Sequence, residues 1–358
     1  MSVAYRAVQW NRHKRFYDML VAAIAVGWVA AFIALSVATM PAGEEVSELI
    51  LAIRAFGTGA IALLVVILSI GPLARLSPRL APVLYNRRHL GVTMFLMAFA
   101  HGALATLWYH GFGVLDPFAS ILASGWPFDG LSQLPFQPLG LAALLILFAM
   151  AATSHDFWLR NLSPRAWKSL HQLVFLAFAL LVAHVGFGVL QDAVSPVYGW
   201  AAGALVAWVV GLHVAVGFVE RARDRAVARA EADGWVRVCA IDEIDDGAAR
   251  RVRVADPADG RARTVAVFRS GDAYSAISGV CAHQGGPLAE GRIVDGCVTC
   301  PWHGYQYLAD CGQSPPPFTE RIPTYELRIE GRTILVHPQA KAPGTPVPPC
   351  RARAGGGA

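Results

Sequence analysis

Residues 281–303 read CAHQGGPLAEGRIVDGCVTCPWH. The stretch holds Cys-Ala-His at 281–283 and Cys-Pro-Trp-His at 300–303, with sixteen residues between the two motifs. Gly and Pro crowd both motifs, which places each on a tight loop. One Cys and one His from each of two converging loops form the donor set of a [2Fe-2S] cluster in which two thiolates hold one iron and two imidazoles the other. A structural zinc site is the competing reading, but zinc fingers group Cys with Cys and His with His. Cys281, His283, Cys300 and His303 are therefore the expected metal ligands.

Around this stretch the sequence reads as short strands at 235–239, 250–254, 264–268, 273–277, 325–329 and 333–336. Turn residues such as Asp245-Asp246-Gly247, Ser270-Gly271-Asp272 and Glu330-Gly331 separate them, as strand boundaries require. An all-β domain over 234–338, a sandwich or small barrel, is the expectation. The tail at 339–358 is rich in Pro, Gly and Arg, a composition that predicts disorder. On the other side, residues 220–232 read ERARDRAVARAEA, a charged helical continuation within a linker at 220–233.

Upstream of that linker the composition changes. The chain of 358 residues is 55% hydrophobic and 15% charged, against about 45–50% and about 25% in soluble proteins, which excludes a single soluble domain. Six apolar segments, at 17–40, 48–71, 89–110, 138–154, 168–190 and 197–219, approach the roughly 20 residues needed to cross a hydrocarbon core. The expected fold is an α-helical membrane bundle of six transmembrane helices at 17–219, followed by the all-β domain. The first segment follows His13, Lys14 and Arg15, but its apolar run exceeds the roughly 7–15 residues of a signal peptide, so a retained helix is expected.

Arginine and lysine then fix orientation, because cytoplasmic loops carry them in excess. Arg6, Arg12, Lys14 and Arg15 precede the first segment; Arg75, Arg79, Arg87 and Arg88 lie between the second and third; Arg160, Arg165 and Lys168 lie between the fourth and fifth; Arg221, Arg223, Arg225 and Arg229 follow the sixth. The other three loops contain neither residue. Both termini, 1–16 included, and the β domain are thus expected on the cytoplasmic side of a cell membrane, most simply a bacterial cytoplasmic membrane. The net charge of +5 follows from this topology. It is not a nucleic-acid footprint, since the arginines form no basic stripe with interleaved aromatics. Of the six cysteines, Cys239, Cys297, Cys311 and Cys350 show no paired spacing among themselves and predict no disulfide framework.

Histidines within the apolar segments carry the next signal, because an ionisable group in hydrocarbon is costly and faces the bundle interior. Counted from Arg88 and Lys168, His101 lies about 20 Å and His184 about 24 Å from the inner surface, while His171 lies only about 5 Å in. His101 and His184 therefore sit at nearly matched depth on two helices of the same direction, and are expected to bind one haem iron from both sides. A histidine that merely packs and hydrogen-bonds is the competing reading. His213 and His89 are the possible partners of His171 at a second haem, and neither matches it well. Arg54, in the second segment, is a further charge within the bundle, expected to meet haem propionates or to snorkel to headgroups.

Thr58-Gly59, Gly71-Pro72-Leu73, Arg87-Arg88-His89-Leu90-Gly91 leading to His101, and Trp167-Lys168-Ser169-Leu170-His171 leading to His184 together resemble the ferric reductase-like transmembrane family over about residues 45–190. The resemblance is closest to the branch with the haem-binding membrane subunit of the periplasmic methionine sulfoxide reductase system, and implies that His101, His171 and His184 are haem ligands. Members with two stacked haems often carry a second His further along the third helix; none lies between His101 and His110. The C-terminal motifs resemble a Rieske domain, which implies that Cys281 and Cys300 bind one iron and His283 and His303 the other. High-potential Rieske proteins carry an extra Cys in each loop, where this chain has Gly286 and Trp302, and a Ser where it has Tyr305. Tyr307 remains to donate to a sulfur. The resemblance thus implies a ferredoxin-type cluster toward the low end of the span of about −150 to +300 mV.

These readings converge on an electron-transfer oxidoreductase component with a Rieske cluster and haem b. Electrons are expected to enter at the cytoplasmic cluster and leave through haem to an acceptor on the outer side. No G-x-G-x-x-G follows a strand, so a separate flavin- or NAD(P)H-dependent reductase must be the donor. The competing functions are a terminal membrane reductase of ferric iron, oxygen or quinone, reverse flow to a cytoplasmic oxygenase, and a membrane anchor whose histidines only pack. No catalytic acid–base pair is evident.

Overall fold

The computed structural model describes residues 12–41, 43, 46–77, 80, 83, 87–124, 134–154, 158, 162, 164–192, 196–225, 233–283, 285–301 and 304–352. The chain divides into two compact units, one spanning Trp10–Val216 and the other containing Gly217–Ala358.

The first unit is helical: α1 (Arg12–Ala38), α2 (Glu48–Leu76), α3 (Arg87–His110), the short α4 (Pro117–Ala123), α5 (Gln137–Ala152), α6 (Pro164–Gln172), α7 (Val174–Asp192) and α8 (Pro196–Arg225). α2 shows how sequence sets these boundaries. Ser47 caps its start by accepting from the Leu49 N–H at 3.3 Å, and Glu48 in the first turn and Arg75 in the last complement the helix dipole. Among the described residues five helical stretches are long and apolar enough to cross a membrane: Arg15–Ala38, Glu48–Leu76, Arg87–His110, Ala166–Gly188 and Gly199–Ala222. The sequence expects six. The remaining one, α5, has 16 residues and a length of about 24 Å, short of a hydrocarbon core of about 30 Å.

A core of Leu64 and Leu68 from α2, Met94 from α3, Leu147 from α5, Phe178 from α7 and Val209 from α8 ties these helices together. Gly59 lets the helices close up, since its backbone faces Met97 and Trp28 with no room for a Cβ. The outward surface is apolar as well: Ile24 is 58% exposed, Val26 70% and Leu35 65%. Exposed apolar side chains of this kind suit lipid and not water.

The second unit is all-β. β1 (Val236–Ala240), β10 (Thr333–Val336) and β9 (Leu327–Glu330) form one sheet; β11 (Cys350–Arg351), β4 (Ala273–Ser278), β3 (Ala262–Ser270) and β2 (Ala249–Ala255) form a second, with β8 (Thr324–Tyr325) also on β4. A third sheet, β5 (Arg292–Val294), β6 (Cys297–Thr299) and β7 (Gln306–Leu308), was not expected from the sequence. Asp295-Gly296 closes its first hairpin with φ of 50° and 78°. Positive φ at both loop residues is the demand of a type I′ turn, which Asp-Gly meets. The strand expected at 325–329 is two strands, β8 and β9.

Over residues 340–352 the tail departs from the expected disorder; residues 353–358 lie outside the described residues. Residues 340–352 form a strap along the β unit: Lys341 N donates to Thr324 O at 2.9 Å, Val347 N to Asp310 O at 2.8 Å and Ala352 N to Asp272 O at 3.0 Å. Cys350 and Arg351 pair with Tyr274 and Ala273 of β4, and Ala340 and Ala352 pack on the core. Composition misleads here because prolines are already restricted in the unfolded chain, so ordering them costs little entropy. Truncation after Gln339 is expected to cost the β unit about 1–3 kcal/mol, the net value of a few hydrogen bonds. The check is thermal unfolding of the full-length and truncated chains, and an unchanged midpoint would contradict the strap's role.

Candidate functional site: a paired-histidine centre and a Cys/His loop centre

In the helical unit two histidines from different helices meet. His101 projects from α3 toward α2, with Nδ1 2.9 Å from the Ile53 carbonyl oxygen. His184 projects from α7, with Nδ1 2.9 Å from the carbonyl oxygen of Phe136, the residue before α5. A carbonyl only accepts, so both Nδ1 atoms carry the proton and both Nε2 atoms keep a lone pair. The rings lie 6.2 Å apart between centroids, at 83° to each other. A metal–imidazole bond runs about 2 Å, so one metal ion bonded to Nε2 of each ring accounts for that separation, the ring radii filling the remainder. Metal-binding histidines typically donate their other N–H to a carbonyl in this way. Among the described residues neither Nε2 has a hydrogen-bond partner, and the pair fits axial ligation of a haem.

The other histidines are placed differently. His171 stacks on Trp167 at 3.6 Å between ring centroids, its Nδ1 3.0 Å from Trp167 O and its Nε2 3.5 Å from Ser154 Oγ. His213 Nδ1 donates to Val209 O of its own helix at 2.8 Å, and His89 Nδ1 pairs with Asp18 of α1. No second histidine ring meets His171 among the described residues. Arg54, expected as a charge within the bundle, is exposed on α2, because its neighbour Ile53 takes the inward position.

In the β unit the two motifs fold into equivalent loops. Cys281 N donates to Gly286 O at 2.9 Å and Gly285 N returns to Cys281 O at 2.8 Å; Cys300 N donates to Tyr305 O at 2.7 Å and Gly304 N returns to Cys300 O at 2.9 Å. Gly285 and Gly304 take φ of 77° and 70°, a conformation that favours glycine. Cys281 and Cys300, each 2% exposed, pack in one apolar cluster with Tyr305 and Tyr307. His283 is buried and its ring lies parallel to Tyr305, 4.8 Å away at 9°. His303 lies outside the described residues. The two thiols and the imidazole fit the soft and borderline donors of an iron–sulfur cluster.

Tyr307, on β7, is fully buried. Its hydroxyl lies 3.3 Å from Cys281 Sγ and accepts from the Ala282 N–H at 3.0 Å, which leaves the O–H for the sulfur. Burial, then the Cys281 sulfur, push this phenol far above its ordinary range, so it stays protonated as a donor. The Tyr305 hydroxyl donates to Glu320, which sequence reasoning did not single out. Nor did it single out Ile53 and Phe136, whose contribution is a backbone carbonyl that any residue would supply. Cys297 and Cys311 are buried free thiols.

Residues 56–182 match the family model described as ferric reductase like transmembrane component, and residues 234–326 match the Rieske [2Fe-2S] domain. Over 159 residues the chain is 35% identical to the protein-methionine-sulfoxide reductase heme-binding subunit MsrQ of Caulobacter vibrioides, covering 44% of this chain and 70% of that protein. Over 107 residues it is 39% identical to the anthranilate 1,2-dioxygenase ferredoxin subunit of Burkholderia cepacia, covering 29% of this chain and 91% of that protein. The solved ferredoxin of carbazole 1,9a-dioxygenase from Nocardioides aromaticivorans IC177 aligns at 29% identity over 29% of this chain and 98% of that one, with a TM-score of 0.26.

The Tyr307 contact is testable on its own. Tyr307→Phe removes one O–H from Cys281 Sγ and is expected to lower the cluster midpoint by roughly 40 mV, the one-electron equivalent of about 1 kcal/mol. Redox titration of the cluster's visible circular dichroism measures it, and an unshifted midpoint would mean the hydroxyl does not reach the sulfur.

Proposed function

From the chain's membership of the ferric reductase-like transmembrane family, with a Rieske [2Fe-2S] domain fused to it, we propose a transmembrane electron conduit that takes electrons from a cytoplasmic donor and delivers them to an acceptor at the outer face. The observation that supports it most is the His101–His184 pair, whose rings are 6.2 Å apart, with both Nδ1 atoms already committed to carbonyls. These imidazoles are the proposed axial ligands of one haem b, within a membrane domain at 17–219. Cys281 and Cys300 are the proposed ligands of one cluster iron, and His283 and His303 of the other, in a Rieske domain at 234–338 joined through a linker at 220–233. When bound, the two groups supply one-electron chemistry, so the chain's own task is to hold, orient and insulate them. We assign a single haem. His171 would reach a second only by giving up its contact with Ser154. Arg54 is assigned to headgroups, or to a haem propionate reached from the rim of the bundle.

Sidedness rests on charge. If α5 crosses with the five longer spans, every Arg-bearing loop falls on one side, and both termini with it. Without that crossing, Arg160, Arg165 and Lys168 would lie opposite Arg75, Arg79, Arg87 and Arg88. We therefore propose six crossings, with the Rieske domain cytoplasmic and local bilayer thinning around α5. A separate flavin- or NAD(P)H-dependent reductase is the proposed donor. The absence of extra loop cysteines at Gly286 and Trp302 supports a low cluster potential, which favours electron entry there.

A second reading has its own support. The ferredoxin relatives are subunits named for dioxygenases, and by that analogy electrons would run inward, from a membrane donor through the Rieske domain to a cytoplasmic oxygenase. A terminal reductase of ferric iron, oxygen or quinone would need an acceptor site formed by residues 111–138.

Potentiometric EPR titration of the detergent-purified full-length protein decides between them. A cluster midpoint below the haem midpoint makes outward delivery downhill; a cluster above the haem reverses it, and a cluster without haem reduces the helical unit to an anchor. In the same preparation, His101→Ala and His184→Ala are each expected to remove one and the same low-spin haem signal. Cys300→Ala is expected to abolish the cluster and spare the haem. A haem spectrum untouched by either histidine substitution would sink the pairing.

A further inference from the structure

The two histidines are seated by the same device, built twice. An ideal Cβ at Gly57 of α2 would lie 2.8 Å from His101 Nδ1, 3.0 Å from its Cε1 and 3.4 Å from its Cγ. One at Gly140 of α5 would lie 2.7 Å from His184 Nδ1, 2.8 Å from its Cε1 and 3.3 Å from its Cγ. In each case the carbonyl that accepts from Nδ1 belongs to the residue four before the glycine, Ile53 or Phe136, and lies 48 residues before its histidine. The chemistry explains the spacing. A helical carbonyl points along the axis past the residue four ahead of it, so a side chain at that residue would cover the oxygen. Glycine leaves it open to a second donor: Phe136 O accepts the Gly140 N–H at 3.2 Å and the His184 ring as well, using both lone pairs.

Gly59 of α2 admits a third ring in the same way, Trp28, whose Nε1 donates to Ala55 O at 3.1 Å; other glycines of the bundle have open space instead. Gly27, Gly91, Gly186, Gly203 and Gly211 have nothing within 4 Å of a built Cβ. A glycine inside a helix costs about 1 kcal/mol relative to alanine, and at 57 and 140 that cost is set against access for an imidazole.

We infer that Gly57 and Gly140 are a matched pair of positioning residues, each holding one imidazole flat against a helix backbone and together fixing the two ring planes nearly at right angles, at 83°. This rests on the reading of His101 and His184 as axial ligands of one haem. Perpendicular imidazole planes leave two of the iron d orbitals nearly equal in energy, which gives a strongly anisotropic low-spin EPR signal with one dominant low-field feature. Parallel planes give a rhombic, three-feature spectrum. A methyl group at either glycine would push the ring off its carbonyl, and loss of such an outer-sphere bond typically weakens binding of the liganded group by about 10- to 100-fold.

The test is low-temperature EPR and haem retention of the purified full-length protein and of Gly57→Ala, Gly140→Ala and Gly186→Ala, the last lying on α7 close to His184 with open space around it. The wild type should give the anisotropic signal. Gly57→Ala and Gly140→Ala should each shift it toward the rhombic or high-spin form and weaken haem retention by about 10- to 100-fold, while Gly186→Ala leaves both unchanged. The Rieske signal in the same spectrum reports that the β unit of each variant is intact, and elution from size-exclusion in detergent at the wild-type position reports the same for the helical unit. A rhombic wild-type spectrum overturns the inference without any variant, as do wild-type signals from both Gly57→Ala and Gly140→Ala. A wild type with no low-spin haem instead overturns the histidine-pair reading beneath it.

Discussion

An imidazole placed inside an apolar bundle must find partners for its polar atoms, because hydrocarbon offers none. That demand organises the helical unit. His101 is answered by a carbonyl of α2 and His184 by the carbonyl before α5, so α3 is bound to α2 and α7 to α5 by the same bond. The contact is possible only where the opposing backbone carries no side chain, and this sets the distance at which each helix pair packs. Leu64, Leu147 and Ala177, each at most 2% exposed, belong to the apolar core of the same helices. The paired rings and the packing of the bundle are consequences of one requirement.

The β unit obeys a different constraint. Two loops must present donors to a shared point, and neither loop is long enough to hold its shape alone. The sheet of β5, β6 and β7 provides the frame: β6 leads directly into Cys300, and β7 places Tyr307 beneath Cys281. Each loop is closed by a pair of backbone bonds around a left-handed glycine, Gly285 in one and Gly304 in the other. With these backbone groups paired and the Ala282 N–H taken by Tyr307, the thiols stand buried in apolar surroundings, where a cluster is shielded from water.

Much of this was legible in the sequence, and the rest failed for identifiable reasons. Charge-poor segments announced the long helices, and five of the six expected β segments appear as single strands within two residues of the expectation. The third sheet was missed because its strands are three residues each, too short for alternation to register. Its Asp295-Gly296 turn, flanked by Ile293-Val294 and Cys297-Val298, was the available signal. The strap at 340–352 was missed because composition counts prolines and not the partners waiting for them. Matched depth along two helices suffices to pair His101 with His184. No pattern in the sequence identifies a carbonyl such as Ile53 O as an acceptor; only the glycine four residues later hints at it.

The fusion itself has a physical consequence under the proposed reading. As separate proteins, a ferredoxin and a membrane haem protein meet by diffusion, at a rate set by their concentrations. A short covalent link raises the effective concentration of one partner around the other to about the millimolar range, and every encounter then involves the same two partners. The contact surface between them need not be large or sticky, because the linker supplies the association that an interface would otherwise have to provide. Selection would then act on the surface a ferredoxin shows to its other partner, the separate donor or acceptor. In this chain that leaves Val280, beside Cys281 and 47% exposed, on the part of the β unit where an electron partner must approach closely.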